Sequence, residues 1–322
     1  MVSQQRLLPS LRRVLRLRHF SAGTERAYVF WTRRFVLFCG RHPVECSERD
    51  VVGFLDHLVS TRQIAASTQN QAVAALSFLY REVLGRPLSA LPAIVRAKSR
   101  VRVPNVLEPE EIERVLRELR GSPRLVVMLM YGAGLRLHEA LSLRLKDLDL
   151  ARHTVVVREG KGGKDRRSVL PERLIGVLAE RVAELRMNHL REVQRGGGHV
   201  ALPRALAAKL PGAVQDWRWS WLFPAARDVR VRATGRRVRF PLHDSTVQRA
   251  IGAAGIASGI NKRVTAHTFR HSFATHLLRS GSDIRTVQEL LGHRDVSTTM
   301  VYLHVLDRGL GVRSPLDRLS SE

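Results

Sequence analysis

Apolar residues recur at three- and four-residue spacing through most of this chain. The clearest run is "TERAYVFWTRRFVLFCG", where Tyr28, Trp31, Phe35 and Phe38 fall on one stripe and Arg26, Arg33 and Arg34 on the other face. Such spacing describes a helix that lays one side on a core. Strand-like segments are few: "HTVVVREG" and "RRSVLP", joined by "KGGKD", read as one hairpin. The pattern predicts a mainly α protein with a small β-sheet.

Turn signals then divide the chain. Residues 1–91 read as a small all-helical domain with basic outer faces and an aromatic core. Within it, "SERDVVGFLDHL" opens with Ser47 and Asp50 as a capping box, and "STQNQAVAALSFLYREVLG" stops at Gly85 with Pro87 just beyond. Residues 92–106 have no periodicity, carry three Arg and one Lys with no acid, and read as an extended basic linker. A second domain, 107–322, starts at "LEPEEIERVLREL", with Pro109 near the first helical turn. Here the apolar helix "RLVVMLMYGAG" leads to the hairpin, and a long helix follows over about 172–194. An irregular Pro-, Trp- and Arg-rich insert occupies about 195–245, and further helices run at about 245–258, 266–279, 283–291 and 296–305. The domain reads as α+β, and Tyr80 and Tyr131 fall in apolar helical stretches as core residues.

Charge narrows the function. Lys and Arg total 54 against 29 acids, a net charge of +25 spread along the chain, which points to a polyanionic partner, nucleic acid above all. Arg enrichment from a GC-rich genome would bring matching acids, and these are missing. Cys39 and Cys46 have neither Cys-x-x-Cys spacing nor company enough for a disulfide framework or zinc site. No apolar run approaches the ~18 residues of a membrane span, and the N-terminus lacks a secretory h-region. The expected setting is the cytoplasm, with no membrane partner.

The chemistry concentrates in the second domain. Arg136 stands in "YGAGLRLHEAL", Lys161 and Lys164 in "GKGGKDRR", His267 and Arg270 in "HTFRH", His293 in "LLGHRDVSTT", and Tyr302 nine residues later. Two arginines can grip the non-bridging oxygens of one phosphodiester. Histidines can donate to the same oxygens or manage a proton. A tyrosine hydroxyl can attack and form a covalent intermediate. A lysine on a hairpin can protonate the leaving alkoxide. No cluster of Asp or Glu is present to hold two metal ions, so no metal and no cofactor is expected. His271 makes an i, i+4 pair with His267 that superficially suggests a metal site; without further ligands it reads as a packing residue.

In order and spacing these boxes resemble the signature of the tyrosine site-specific recombinases, the phage-integrase and Xer superfamily. The resemblance covers the whole second domain, and the first is similar to that family's SAM-like core-binding domain. It implies that Arg136 and Arg270 bind the scissile phosphate and that His267 and His293 complete the cradle. It implies Lys161 as general acid, with Lys164 on the same turn as the alternative, and Tyr302 as nucleophile. The product is a 3′-phosphotyrosyl link and a free 5′-hydroxyl, made without ATP or divalent metal. Glu139 matches an acid that braces the Arg136 segment.

Within the superfamily, the long stretch between Lys161 and His267, containing "ALPRALAAKLPGAVQDWRWSWLFP", resembles the extra segment of integron integrases. So do "LRHFSAGTERAYVFWTRRFVLF", "ASTQNQAVAALSFLYREVLG" and the terminal "GVRSPLDRL". That branch implies two DNA partners, a duplex attachment site and a folded single-stranded cassette hairpin with extrahelical bases. It also implies a homotetramer on DNA, docked through the segment after Tyr302, and association with the nucleoid when bound. Trp219 and His243 are the candidates for extrahelical-base contacts. Trp217 and Trp221 read equally as such contacts or as a local mini-core. "RDVRVRATGRRVRFPLH" is only loosely similar to the branch. The competing readings are another recombinase of Xer or phage-integrase type, a type IB topoisomerase, a catalytically silent DNA-binding protein, or an RNA-binding protein.

Overall fold

The computed structural model describes residues 7–88, 104–158, 165–232, 234–293, 295–300 and 302. The chain divides into two compact units, residues 1–102 and 103–322. Both are built mainly of helices, and the strands form two small sheets in the second.

Among the described residues the first unit packs four helices, α1 (Leu7–Leu17), α2 (Ala22–Cys39), α3 (Glu48–Ser60) and α4 (Ala66–Phe78), the last prolonged by a wider turn to Val83. Its core joins Leu11 and Leu15 of α1 to Trp31 and Phe35 of α2, Phe54 and Leu58 of α3, and Leu76 of α4. The aromatic stripe of α2 is core only in its middle. Trp31 and Phe35 are buried, whereas Tyr28 is half-buried and Phe38 is 45% exposed. An 18-residue helix rotates its stripe past a small partner, so the ends reach the rim; Phe38 covers Phe54 and His57 from outside. The Ser47 amide and hydroxyl both donate to the Asp50 carboxylate at the start of α3. Tyr80 is buried, and its hydroxyl donates to the Pro43 carbonyl at 3.0 Å.

In the second unit, α5 (Pro109–Glu118) is followed by α6 (Gly121–Ala133), whose Val126, Val127, Leu129 and Met130 are fully buried. A helix apolar on nearly every side must be enclosed on every side. Accordingly α6 sits against α5, the short α7 (Leu137–Leu141), α10 (Asp244–Ala257) and α11 (Ala266–Arg279). Strands β1 (Leu148–Asp149), β2 (Thr154–Val157) and β3 (Arg166–Val169) form an antiparallel sheet in that order, Val157 opposite Arg166. The hairpin was legible in sequence; the two-residue β1 was too short to carry an alternation. The long helix α8 (Glu172–Gln194) ends where Gly196 and Gly198 turn the chain.

The insert then forms a second sheet, β4 (His199–Val200), β5 (Val229–Arg230) and β6 (Arg237–Arg239), with β6 central, parallel to β4 and antiparallel to β5. Helix α9 (Arg204–Lys209) and two 3₁₀ turns, Pro211–Val214 and Trp217–Trp219, fill the connection. After α11 come α12 (Ile284–Leu291) and α13 (Ser297–Met300). The linker up to residue 103, Lys161, Lys164 and the segment after Tyr302 lie outside the described residues.

Candidate active site

Three guanidinium groups converge on one carboxylate. Glu139 stands on α7, and its Oε2 accepts from the Arg136 amide at 2.8 Å, tying off the start of that helix. Its Oε1 accepts from the Arg136 side chain at 2.6 Å. Arg166, arriving from β3, donates to both oxygens, at 2.9 and 2.7 Å. Arg270, from α11, lies 3.5 Å from Oε2. Burial alone would raise the Glu139 carboxyl, but hydrogen bonds from Arg166 and the Arg136 amide, with the charges of Arg166 and Arg270, hold it at about 2. The carboxylate stays ionised, and the cluster keeps an excess of positive charge. That is a receptor for an anion.

Arg270 is 3% exposed and is held by backbone. It donates to the Gly134 carbonyl at 2.6 Å and to the Leu291 carbonyl at 2.5 Å. Burial, then the nearby charge of Arg136, lowers it to about 9, still cationic at neutral pH. Two glycines make room for this arrangement. Gly134 has φ of +64°, and a Cβ there would fall 2.4 Å from the Phe273 ring. Gly292 has φ of +63°, and a Cβ there would meet Arg166 Cδ at 2.7 Å.

His293 follows Gly292 and turns back to the cluster. Its Nε2 lies 3.2 Å from Arg270 and its Nδ1 2.9 Å from the Thr299 hydroxyl. Arginine only donates, so Nε2 accepts and Nδ1 carries the ring proton. The His293 ring stacks on Tyr302, centroids 6.2 Å apart and planes 19° from parallel. Tyr302 is 3% exposed, within a small core of Phe273, Ala274, Val287 and Leu291. Burial raises its hydroxyl, offset in part by Arg270 and Arg136. His267 is exposed on the first turn of α11; partial burial of the ring, then Arg270 and Arg136, lowers it.

Arg136, Glu139, Arg270, His293 and Tyr302 therefore meet in one cluster, with His267 at its rim. Sequence reasoning missed two members. Arg166 had a signal: on β3 it shares the inward face with buried Ser168, at period two. The other is His271, which reads in sequence as a packing residue and is half-buried here with a hydrogen-bonding partner. Its Nδ1 lies 3.0 Å from the Tyr302 hydroxyl. The separation of 31 positions hid that pairing.

The insert candidates lie apart in kind. Trp219 is half-buried, with Lys146 Nζ 3.0 Å over its ring and Arg144 at 5.5 Å. His243 is exposed at the N-terminus of α10, where its Nδ1 accepts from the Ser245 amide. Trp221 is buried, its indole donates to the Arg239 carbonyl, and Arg144 sits 3.7 Å over its ring. Trp217 packs on the main core under Arg186.

Two family models match this chain: the phage integrase family over residues 105–308, and the N-terminal SAM-like domain of phage integrases over 7–90. The chain belongs to the phage integrase family. An integrase/recombinase of Escherichia coli is 48% identical over 316 residues, 98% of this chain and 94% of that protein. The tyrosine recombinase XerA of Thermococcus kodakarensis is 32% identical, over 88% of this chain and 86% of its own. Two solved structures share the fold. XerH site-specific recombinase bound to palindromic difH substrate has a TM-score of 0.59 at 21% identity, covering 89% of this chain and 78% of its own. The Tn1549 transposon integrase with transposon right end DNA has a TM-score of 0.60 at 15% identity, covering 97% and 96%. The protein is a tyrosine recombinase, an enzyme that cleaves and rejoins DNA.

Proposed function

We propose that this recombinase cuts DNA with Tyr302 and is an integron integrase. The observation that carries the chemistry is the Tyr302 hydroxyl beside the Arg136–Glu139–Arg166–Arg270 cluster. Arg136 and Arg270 take the non-bridging oxygens of the scissile phosphate, with His293 and His267 completing the cradle. Glu139 holds Arg136 in place. Tyr302 attacks phosphorus, the bond to the 5′-oxygen breaks, and a 3′-phosphotyrosyl link stores the phosphodiester energy. That storage dispenses with ATP, and fixed guanidiniums supply the charge a metal would otherwise supply. The leaving 5′-oxygen takes its proton from Lys161, or from Lys164.

The integron branch rests on the insert, whose sheet and tryptophan-rich turns separate α8 from α10. Its substrates are a duplex attachment site and a folded cassette hairpin, bound by four subunits docked through the segment after Tyr302. Trp219 and His243 meet extrahelical bases; because Lys146 covers one face of Trp219, a base stacks on the other face or displaces the ammonium. A second reading, Xer-type action on duplex sites alone, is favoured by relatives named XerA and XerD at 32% and 33% identity.

Covalent trapping decides between them. The protein is mixed with a nicked cassette-type hairpin and with the same sequence as nicked duplex, without magnesium, and run on a denaturing gel beside Tyr302→Phe. A protein–DNA adduct on the hairpin, absent from the variant, is the expected result. An adduct on duplex alone removes the integron branch, and an adduct surviving in Tyr302→Phe removes Tyr302 as nucleophile.

A further inference from the structure

We infer that His271 is the base that takes the proton from the Tyr302 hydroxyl as it attacks DNA. The inference rests on Tyr302 being the nucleophile. The Tyr302 hydroxyl must lose a proton for its oxygen to bond to phosphorus, and in a nearly closed site that proton needs a receiver. Among the described residues, the hydroxyl's hydrogen-bonding partner is His271, with Nδ1 at 3.0 Å and ring centroids 5.5 Å apart.

The neighbouring histidines are placed for other work. His293 presents its ring face to Tyr302, its Nε2 is taken by Arg270, and its Nδ1 meets Thr299. His267 is one turn back on α11, with its ring 6.2 Å from that of His271. Among the described histidines, His271 is the one that points a ring nitrogen at the hydroxyl. It follows Arg270 directly on the same buried helix, so the group that grips phosphate and the group that receives the proton are held by one rigid element.

The protonation state suits the role. Burial, then His267 and Arg270, lowers His271 to about 4, so its ring is neutral at physiological pH and has an acceptor to offer. Burial also raises the phenol. Both shifts favour the proton on oxygen. Once a phosphodiester anion sits on Arg136 and Arg270, it offsets the positive charge of Arg270, which adds to burial and to His267 in lowering His271. Transfer then accompanies attack: the Oη–H bond breaks as Nδ1–H forms, the Oη–P bond forms, and the P–O5′ bond breaks with a proton delivered from the general acid. Rejoining runs the same steps backward, and the His271 imidazolium returns its proton to the departing tyrosine. Each nitrogen has one task, Nδ1 toward the phenol and Nε2 carrying the resting ring proton.

The test measures single-turnover cleavage of a nicked duplex bearing a site the wild-type protein cuts. His271→Asn puts an amide oxygen near the place of Nδ1, keeping an acceptor for the hydroxyl but no site for its proton; His271→Gln is the second variant if Asn disturbs folding. Each variant is first shown to bind the DNA within a factor of two of wild type. The same duplex with sulfur for the bridging 5′-oxygen provides a leaving group that needs no proton. A base contributes about 10²–10⁴-fold, so cleavage is expected to slow at least a hundredfold on both DNAs. A rate within severalfold of wild type on ordinary DNA overturns the inference, leaving His271 as a mere hydrogen-bond partner. A slow rate on ordinary DNA that recovers on the sulfur DNA also overturns it, by placing His271 at the leaving group. Tyr302→Phe runs in parallel: cleavage surviving there takes away the nucleophile, whereas its loss together with a fast His271→Asn takes away this inference alone.

Discussion

Glu139 is the residue on which the cluster turns, because Arg136, Arg166 and Arg270 all reach one buried carboxylate. Its pKa is depressed from 4.5 to about 2. A depressed carboxyl stabilises the fold above its unfolded pKa, and that stability drains away as pH falls from about 4.5 toward 2. The shift corresponds to roughly 3 kcal/mol at pH 7. Glu139→Gln is expected to lose about that much in urea denaturation at pH 7, with the gap to wild type narrowing at pH 3. Three of the four tryptophans lie in the second unit and give the fluorescence signal. A gap unchanged between the two pH values would assign the stabilisation to packing. Gly134→Ala probes the same site through the backbone. A side chain at φ of +64°, pressed on Phe273, costs on the order of 2 kcal/mol and shifts the carbonyl that Arg270 grips. Single-turnover cleavage should fall at least tenfold while DNA binding changes little; equal losses in both would mean that Arg270 has not moved.

At the scale of elements, the helix boundaries were readable because each carries its own local chemistry. Helix α8 spans Glu172–Gln194, from a Pro171 start to a Gly-rich stop, and α5 begins on Pro109. What the sequence concealed depends on distance. The rotation of α2 that exposes Phe38 is set by how small its partner helices are. The His271–Tyr302 and Arg166–Glu139 pairs join elements 31 and 27 residues apart. No local pattern records such meetings. The insert looks irregular in sequence because its strands have two or three residues each, too few for an alternation. Helix α11 shows a local rule serving the site. The Thr265 amide donates to the Thr268 hydroxyl at 3.0 Å, and the Thr265 hydroxyl accepts from the Thr268 amide, fixing the turn that carries His267. Thr265→Ala should cost about 1 kcal/mol in stability. Cleavage should slow a few-fold with the nucleophile intact, as adduct yield at long times reports.

At the scale of the whole molecule, the charge of +25 and the buried cluster act on DNA in different ways. The exposed arginines spread over both units meet backbone phosphates in water, where each neutralised phosphate releases counterions. If six to ten phosphates are met, raising salt from 50 to 200 mM weakens binding by about 10³–10⁵. The site is different. Arg270 is almost wholly enclosed, Arg166 is 10% exposed along its side chain, and both are locked by Glu139 and backbone carbonyls. Mobile ions screen exposed charges over about 10 Å at 0.1 M but reach enclosed ones poorly. Salt should therefore act on encounter and leave chemistry nearly alone. Filter binding at 50 and 200 mM salt gives the first quantity, and single-turnover adduct formation at saturating DNA gives the second. Affinity is expected to collapse while the saturated rate changes less than threefold. If the saturated rate falls in step with affinity, the catalytic cations are reached by solvent when DNA is bound, and the enclosed receptor opens before it cuts.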